Sequence, residues 1–596
     1  MTATTTATSL DPITLALVQN RLNHITQQMG DVMLRTARSP IFSHAHDFSC
    51  FITDARGSVV AQADGIPIHT GGGGFAVRAL LKQYGGRIAD EDIFILSDPY
   101  VAGGNHLPDW VIARPVFSGG KLVSFTCNRA HQSDIGGGAA GTYNPEAKEI
   151  FHEGIRLPVM RLVAKGEVND DIWRLLLLNS RTAHLLDGDL RAMIGSTGIG
   201  AEKIRHLMSE IGIEEGAQYF DGVLDYADRR FRHAIAELPH GRYLGESWFD
   251  NDCFDPLDIP IKVAITVDDS GLTVDFTGSH PQIRGFKNSS LANTYSAVYT
   301  ALFSFFDPDI PRNEGAFRSV RIIAPSGTII NPDPPAAVTM CTVFPACEII
   351  EACWEALGSA IPERSCAGWG ANSFPISAGV AENGRTFVMY HWAGSSGGGA
   401  VDGRDGFPQQ GGLNSLCGLV IPNIETFEQL YPVRIEKHEL RCDSAGVGKY
   451  RGGPGVAYEV KIMRPVQLSF RGEGMRRFPP RGAAGGGAGA LGQLHCVPDI
   501  GEAYTPPAYG IRHSSPCRFS MVSQGGGGWG DPLERNVNCV LSDVEDGIVS
   551  RTAAFELYGV AIGSDERTVD VQGTMRRRNQ IRKSRDRPPE PSAGGK

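Results

Sequence analysis

The sequence lacks the short motifs that mark common nucleotide-binding sites. No Gly-rich segment is followed by Lys-Ser or Lys-Thr at the spacing of a phosphate-binding loop. No Gly-x-Gly-x-x-Gly segment clearly follows a strand and opens a helix, which a dinucleotide site requires. No cysteine stands in a recognisable reactive context. We therefore expect the chain to have no nucleotide-binding loop and no cysteine nucleophile of its own.

Other features that the sequence lacks indicate the cellular compartment and exclude some classes of binding partner. The 12 cysteines are scattered without a Cys-x-x-Cys pair, and no run of 18 apolar residues occurs. The N-terminal residues show neither the basic segment nor the apolar core of a secretory signal. The formal net charge of -10 provides no overall basic field for nucleic acid. These features predict a reduced, cytoplasmic protein that binds neither membranes nor nucleic acid.

Glycine, in contrast, is abundant, with 73 of the 596 residues, about twice its average usage. Because the glycine clusters lie between periodic segments, we interpret them as loops, in which glycine allows close approach of backbone or ligand. The clusters are TGGGGF (70–75), DIGGGAAG (134–141), GSSGGGAVDG (394–403), PPRGAAGGGAGALG (479–492) and SQGGGGWGDP (523–532). We expect the loops 134–141 and 394–403 to close over a substrate, with Ser395 and Ser396 as loop residues rather than nucleophiles.

The pattern of apolar residues predicts a mixed α and β (α+β) fold. Helical spacing occurs over 11–37, 73–85, 168–237, 293–306 and 345–360, and strand patterns occur over 48–63, 92–100 and 109–131. The predicted regions are a disordered N-terminus (1–10), an α/β region that carries the candidate site (11–240), an α/β middle region (241–370), a β-rich region with glycine loops (371–570) and a disordered basic tail (571–596).

Two histidine–aspartate pairs flank a predicted hairpin. His106 and Asp109 lie at the start of its first strand, and His131 and Asp134 lie at the end of its second strand. Because a hairpin brings its ends together, the two pairs should meet at the open end. Imidazole and carboxylate ligands suit Zn, Mn or Fe. Each pair alone is a weak motif, so the residues by themselves leave a structural role open.

Further residues are candidates around this hairpin end. Asp47 immediately precedes a predicted strand and supplies another carboxylate. The candidates for lining a substrate are His44, His69, Gly136, Gly137 and His391. Any of these histidines also fits an ordinary structural role.

Several longer stretches resemble the hydantoinase B/oxoprolinase family. They follow the family's order and cover roughly residues 10–570. The stretches are SDPYVAGGNHLPDW, NRAHQSDIGG, EGIRLP, LLLNSRTAHLLDGDLRA, NPDPPAAV, YPVRIEKHELRCDSAGVGKYRGGPG and GGGGWGDPLERN. In length the chain is nearest to the B subunit of N-methylhydantoinase-type enzymes, and it is less similar to the longer ketone-carboxylase subunits.

The resemblance implies an activity, cofactors and a partner. The expected activity is ATP-dependent hydrolysis of a small cyclic amide, whose ring carbonyl is activated by phosphorylation. The expected partner is a hydantoinase A-like subunit with an actin-like site for ATP and Mg, which would form a hetero-oligomer with this chain. This chain would carry one divalent metal, which is Mn, Zn or Fe, to activate water.

The resemblance also implies roles for individual residues. His106, Asp109 and His131 match the metal ligands of relatives. Asp47 and Asp134 match further acidic positions, each as a ligand, as an orienter of a histidine ring or as a general base. The sequence departs from the family at His44, where relatives often have Glu, and at 408–415, where relatives often have a histidine.

Two other functions remain open from the sequence. A subunit of an ATP-dependent ketone carboxylase would use the same metal site to hold an enolate or bicarbonate. A non-catalytic scaffold subunit would present its glycine-rich face to the partner and need no metal.

Overall fold

The computed structural model describes residues 10–63, 65–371, 373, 375–413, 415–564 and 567–585. It has 35% helix and 25% strand, arranged in several small sheets. This composition confirms the predicted mixed α and β class. The helices predicted at 11–37, 73–85, 293–306 and 345–360 are all present, with ends that differ by a few residues.

A seven-stranded antiparallel sheet forms the N-terminal part of the fold, in the order β2-β1-β5-β4-β3-β6-β7. Its helices and strands are α1 (Pro12–Thr36), α2 (Pro40–Ser43), β1 (Phe48–Asp54), β2 (Val59–Gln62), α3 (Pro67–Thr70), α4 (Gly73–Tyr84), β3 (Ile93–Leu96), β4 (Asp109–Ser118), β5 (Lys121–His131), β6 (Met160–Ala164) and β7 (Glu167–Val168). Three helices follow, which are α5 (Asp170–Leu178), α6 (Ala183–Ile211) and α7 (Ile213–Ala236).

Both faces of this sheet are buried. The helices α1 and α6 contact strands β1 and β5 on one face. On the other face Phe51, Phe94 and Phe125 pack with Val77 and Leu80 of α4. Because successive strand residues point to opposite faces, double coverage requires nearly continuous apolar strands. Strand β5 departs from this pattern, with the buried polar residues Thr126, Asn128 and Arg129 before its end.

The middle part contains a four-stranded sheet in the order β11-β10-β9-β8. Its elements are β8 (Gly241–Asn251), β9 (Pro256–Asp268), β10 (Gly271–Asp275), α8 (Leu291–Phe305), β11 (Val320–Ile323) and α9 (Ala346–Ala360). Helix α9 packs against β8, β9 and α8. One large buried apolar cluster runs from α1 through this part to Met521, and two smaller buried clusters are separate from it. The boundaries near 240 and 370 stay predictions.

The C-terminal part contains two four-stranded sheets, β13-β12-β16-β18 and β14-β15-β19-β17, and a small pair, β20-β21. Its elements are β12 (Ile376–Val380), β13 (Thr386–Tyr390), α10 (Ile424–Leu430), β14 (Val433–Leu440), β15 (Val456–Ile462), β16 (Val466–Phe470), β17 (Gln493–Pro498), β18 (Gly510–Ser514), β19 (Cys517–Val522), α11 (Val537–Glu545), α12 (Arg551–Glu556), β20 (Ala561–Ile562), β21 (Val569–Asp570) and α13 (Val571–Arg585).

Glycine segments of this part stack backbone against backbone in the interior. Gly453 N–H donates to Gly398 O, and Gly526 N–H donates to Gly453 O. A Cβ at Gly526 would lie 2.0 Å from Gly398 O, so only glycine fits there. The expectation that the loop 394–403 closes over a substrate is wrong, because Gly394–Ala400 is buried within this stack.

The predicted disorder of the basic tail is wrong for Val571–Arg585, which forms helix α13. Basic residues of this helix bind it to the preceding part of the chain. Arg578 donates to the carbonyl oxygens of Tyr558 and Arg535, and Arg585 pairs with Asp531 at 3.0 Å. Residues 586–596 and residues 1–9 lie outside the described residues, so the predicted disorder there stays a prediction. Within the described ranges, no helix is long and apolar enough to cross a membrane.

Candidate metal centre

The open end of the β4–β5 hairpin brings the two predicted pairs together in part. Asp109 begins β4, His131 ends β5, and the two residues are direct cross-strand partners. His106 lies in the turn that leads into β4, where Pro108 prevents a helix from continuing. The side chains of His106, Asp109 and His131 are all buried, and their ligand atoms lie within 4.8 Å of one another. The predicted meeting point at the hairpin end is confirmed for these three residues.

Two more side chains reach the same point from neighbouring elements. Asp47 immediately precedes β1, which pairs with β5, and the backbone N–H of His131 donates to Asp47 O at 3.1 Å. His69 lies at the end of the short helix α3, and the carbonyl of His69 accepts a hydrogen bond from the buried guanidinium of Arg129. The group therefore has five members from four separate segments of the chain.

The carboxylate of Asp109 lies at the middle of the group. Its Oδ1 is 2.7 Å from His106 Nε2 and 3.1 Å from His131 Nδ1. Its Oδ2 is 3.3 Å from His69 Nε2, which is in turn 3.6 Å from Asp47 Oδ1. Three imidazole rings thus face two carboxylates, with nitrogen–oxygen distances from 2.7 to 3.6 Å.

Hydrogen bonds outside the group fix the orientation of its rings. His106 Nδ1 lies 2.5 Å from the carbonyl oxygen of Thr339, which can only accept, so this nitrogen donates a hydrogen bond and Nε2 faces Asp109. His131 Nε2 lies 2.8 Å from the hydroxyl of Thr142, which contacts the Tyr390 hydroxyl at 2.8 Å. Such outer partners hold metal-binding histidines in one orientation.

Burial sets the protonation states. Burial lowers the pKa of His69 to about 3 and that of His131 to about 4, so both rings are neutral near pH 7, which is the form that binds metals. Burial raises the pKa of Asp109, but the adjacent His106 and His69 more than offset this and hold its pKa well below the usual range. Burial and the negative Asp109 together raise the pKa of Asp47 well above its usual range.

Several buried atoms of the group lack a hydrogen-bond partner among the described residues. They are Nε2 of His106, Oδ2 of Asp109 and Oδ1 of Asp47. A buried polar atom without a partner costs about 1–3 kcal/mol, so native proteins rarely leave several together unless a ligand satisfies them. Two or three imidazoles with one or two carboxylates suit Zn, Mn or Fe. The residues present therefore fit a divalent metal.

Asp134 does not share this point. Its carboxylate accepts hydrogen bonds from the backbone of Gly136, Gly141 and Arg181, and it pairs with the Arg181 guanidinium at 3.0 Å. Among the described contacts, none joins Asp134 to the hairpin-end group. The expectation that both members of the second pair meet there is wrong for Asp134, because its oxygens anchor the loop that follows β5.

The residues predicted to line a substrate divide in the same way. His69 belongs to the group itself, whereas His44 is exposed on the turn after α2. His391 is buried between the Ser377 hydroxyl at 3.0 Å and the Tyr458 hydroxyl at 3.1 Å. Its contacts are those of a structural residue. Gly136 and Gly137 have φ near +80° and pack against backbone carbonyls, where a side chain would clash.

Aromatic and basic side chains that were not predicted from the sequence lie beside the group. The guanidinium of Arg471 lies 3.5 Å from the centre of the Tyr143 ring and 5.6 Å from that of Tyr390. Its charge opposes the rise in the pKa of Asp47. Tyr143 stacks on His131 with ring centres 5.4 Å apart. No local motif marks Arg471, because it follows β16 and is distant in sequence from the hairpin.

Gly394–Gly398 has the letters of a Gly-x-Ser-x-Gly nucleophile elbow, but its structure differs from one. The elbow needs a sharp turn between a strand and a helix that exposes the serine. Ser396 is fully buried, and its hydroxyl donates to Ala371 O at 2.6 Å. This segment is therefore part of the glycine stack, as its loop interpretation without a nucleophile requires.

Comparison with known proteins identifies the family. The profile of the hydantoinase B/oxoprolinase family matches residues 11–532. The chain belongs to this family. It is 35% identical to the caprolactamase subunit beta of Pseudomonas jessenii, over 93% of this chain and 97% of that relative. The predicted family is thereby confirmed.

Two solved structures have the same fold as this chain. The crystal structure of the ATP-dependent caprolactamase from Pseudomonas jessenii superimposes with a TM-score of 0.90 at 32% identity, covering 96% of this chain and 100% of that one. A nucleotide-free structure of acetone carboxylase superimposes with a TM-score of 0.89 at 21% identity, covering 97% of this chain and 83% of that one. The second likeness shows the fold alone.

Proposed function

We propose that this chain is the metal-carrying subunit of an ATP-dependent cyclic amide hydrolase, and that it works with a separate ATP-binding subunit. The proposal rests on one observation. Buried nitrogen and oxygen atoms that could bind a metal, several of them without a hydrogen-bond partner among the described residues, lie together at the end of the β4–β5 hairpin. Its family and its similarity to a caprolactamase subunit support the amide chemistry.

His106, Asp109 and His131 are the residues that would hold the metal, which is Mn, Zn or Fe. Such an ion supplies Lewis acidity and lowers the pKa of water near neutrality. His69 contacts both Asp109 and Asp47, so it is a fourth donor or an orienter of the two carboxylates. The Thr339 carbonyl and the Thr142 hydroxyl keep the His106 and His131 rings in place.

Asp47 is the proposed proton carrier. Its Oδ1 is buried and unpartnered, and burial raises its pKa well above the usual range. A carboxyl of this kind can take the proton that an attacking water loses and return it to the departing ring nitrogen. Opening of an amide ring requires both transfers, because water adds at the carbonyl carbon and the nitrogen leaves as an amine.

Arg471 and its aromatic neighbours are the proposed wall of the substrate pocket. The Arg471 guanidinium lies against Tyr143 and is close enough to Asp47 and His131 to affect their pKa values. A fixed cation beside the centre would neutralise the charge of an activated, phosphorylated ring. Gly136 and Gly137 remain proposed only as parts of the supporting loop.

ATP and Mg are assigned to the partner subunit in this proposal. The sequence supports this division because it has no phosphate-binding loop. The word "subunit" in the name of the caprolactamase relative agrees with an assembly of more than one chain. A cytoplasmic location, where ATP is available, belongs to the same proposal.

The test is turnover of the purified complex of this chain with its partner. The complex is incubated with ATP and a series of lactams and hydantoins, and the ring-opened amine and inorganic phosphate are measured together. We expect ring opening coupled to ATP hydrolysis, and loss of ring opening in Asp109→Asn. A parallel reaction contains ketones and labelled bicarbonate.

Two results would contradict the proposal. Fixation of labelled bicarbonate into an acid-stable product, without ring opening of any substrate, would favour the ketone carboxylase. Full activity of the complex with the Asp109→Asn chain would favour a scaffold role, because the hairpin end would then not be needed for the reaction.

A further inference from the structure

A second polar cavity lies outside the hairpin-end group, between strand β8, the start of helix α9 and the segment after β16. Its volume is about 180 Å³. Its walls include the carboxyl groups of Asp250, Glu348, Glu351 and Glu473, and Arg481 is the cation among the described lining residues. The cavity is therefore lined mainly by acidic groups, and the proposed amide chemistry uses none of them.

Glu348 is the acidic residue of this cavity with unused hydrogen-bonding capacity. Its side chain is 6% exposed, and its Oε2 has no hydrogen-bond partner among the described residues. Burial first, and then the charges of Glu473 and Glu351, raise its pKa well above the usual range. A buried carboxyl in this state is costly unless a donor or a cation satisfies it.

Three of the other carboxyls already have partners, and Glu246, which also lines the cavity, is exposed to solvent. Glu473 pairs with the buried Lys287 and accepts a hydrogen bond from Tyr509 at 2.8 Å. Asp250 accepts a backbone hydrogen bond from Arg477 at 3.1 Å, and Glu351 accepts one from Trp369 at 2.7 Å. The unmet capacity for a cation is thus concentrated at Glu348.

Aromatic rings complete the walls of the cavity. Trp248 and Phe478 have ring centres 5.8 Å apart, and Trp369 lines the cavity beside Glu351. The faces of such rings attract cations and pack against alkyl groups. A wall of rings and carboxyls suits an organic ammonium group better than a bare metal ion. Among the described residues, the geometry of a metal site is found at His106, Asp109 and His131.

We propose that this cavity binds the primary ammonium group of a small molecule, with Glu348 as its acceptor and Trp248 and Phe478 as walls for the attached alkyl chain. The ammonium donates to Glu348 Oε2, which satisfies the buried oxygen. The site needs neither the metal nor ATP.

The chemistry of the proposed reaction suggests the source of such a ligand, and this step rests on the proposed function. Opening of a lactam ring releases a primary amine that is protonated near pH 7. Arg471 lies at the metal centre and Glu473 lines this cavity. Two residues of one segment, two positions apart, therefore contribute to the two sites. We therefore assign the cavity to the ammonium group of the reaction product.

The first experiment measures binding of pentylammonium chloride by titration calorimetry to the full chain after treatment with a chelator. The neutral comparison is 1-pentanol, which has the same chain and a hydroxyl group. We expect pentylammonium to bind at one site and at least about tenfold more tightly than 1-pentanol, because a hydrogen bond from a charged donor commonly contributes that much. Glu348→Gln should weaken the binding by a similar factor.

Two further variants keep this test clear of folding effects. Trp248→Ala removes a half-buried wall and should also weaken pentylammonium binding. Glu363→Gln changes an exposed acid just after α9 and should leave binding unchanged. Equal affinity of the native chain for both compounds, or native-like binding by both Glu348→Gln and Trp248→Ala, would overturn the site.

A separate experiment, inhibition of the active complex, tests the assignment of the cavity to the reaction product. The ring-opened amine should inhibit turnover of the native complex and should inhibit the Glu348→Gln complex at least about tenfold less strongly. Equal inhibition of both would overturn the product assignment while the calorimetry decides the ammonium site. A failure of ring opening itself would contradict the proposed function and leave the calorimetric test intact.

Discussion

At the scale of single residues, the hairpin end concentrates polar atoms in a place where polar atoms are costly. Asp109 is fully buried, and three imidazole nitrogens lie within 3.3 Å of its oxygens. The sequence allowed His106, Asp109 and His131 to be predicted because a hairpin must pair its ends. It gave no such rule for His69 or Arg471, whose positions depend on packing between distant segments.

Asp47 offers a test at this scale that separates proton transfer from metal binding. Asp47→Asn preserves the shape of the side chain but removes its ability to carry a proton. We expect turnover to fall at least about 100-fold, which is the usual contribution of a general acid or base. Metal content should stay close to that of the native chain. Activity assays and elemental analysis of the same preparation check both expectations.

Asp134→Asn is the matched comparison for that variant. Because Asp134 pairs with Arg181 rather than with the group, this change should lower the thermal midpoint and leave turnover per folded chain near the native value. A larger loss of turnover in Asp134→Asn than in Asp47→Asn would contradict the assignment of the two residues.

The burial of His391 leads us to expect that stability depends on pH. Burial lowers its pKa to about 3, whereas an unfolded histidine takes its proton near pH 6.5. Between these values the unfolded chain binds the extra proton, so the stability that the neutral ring contributes is complete above about pH 6.5 and is lost as the pH falls. From pH 6.5 to 5, the free energy of unfolding should therefore fall more steeply in the native chain than in His391→Gln.

The difference between the two slopes should approach about 1.4 kcal/mol per pH unit, and urea denaturation at each pH measures it. His69 and His131 titrate in the same direction in both proteins, so the comparison isolates His391. Parallel slopes would show that His391 is not buried in its neutral form.

At the scale of elements, local patterns predicted most helices and strands. The periodicity of α1, the Ser-Gly-Gly turn between β4 and β5, and the helix at α9 are local properties, which sequence reveals directly. The tail was mispredicted because its composition alone suggests disorder. Helix α13 is held against the fold there, because Arg578 donates hydrogen bonds to the backbone carbonyls of Tyr558 and Arg535.

The turn before β4 gives a prediction at the element scale. A Cβ at Gly104 would lie 1.8 Å from the carbonyl oxygen of Ser97. Gly104→Ala should therefore displace the turn that carries His106, lower the free energy of unfolding by about 1–3 kcal/mol and reduce metal content. Gly86→Ala is the control, because a Cβ there meets no atom within 4 Å. Equal behaviour of the two variants would contradict the role given to the turn.

At the scale of the whole molecule, buried polar contacts join regions that are far apart in sequence. Lys287 of the middle part and Glu473 of the C-terminal part form an ion pair whose side chains are 0% and 5% exposed. The glycine stack joins other C-terminal segments by backbone alone. Neither feature was predictable from sequence, because each depends on which distant segments meet.

Lys287→Met tests this long-range pairing. It leaves Glu473 buried without its cation, and breaking a buried pair in this way costs about 3–5 kcal/mol. Denaturant titration measures the change in the free energy of unfolding. The control is Lys121→Met, whose partner Glu214 is exposed, and it should cause no measurable change. A change in Lys287→Met no larger than in this control would contradict the account of the pair.

The most direct test of the metal centre is elemental analysis of the purified chain beside the double variant His106→Ala/His131→Ala. The native chain should contain about one Mn, Zn or Fe per molecule, and the variant, folded by circular dichroism, should contain almost none. The same metal content in both proteins, or a native chain that binds none of these metals even in complex with its partner, would contradict the central claim.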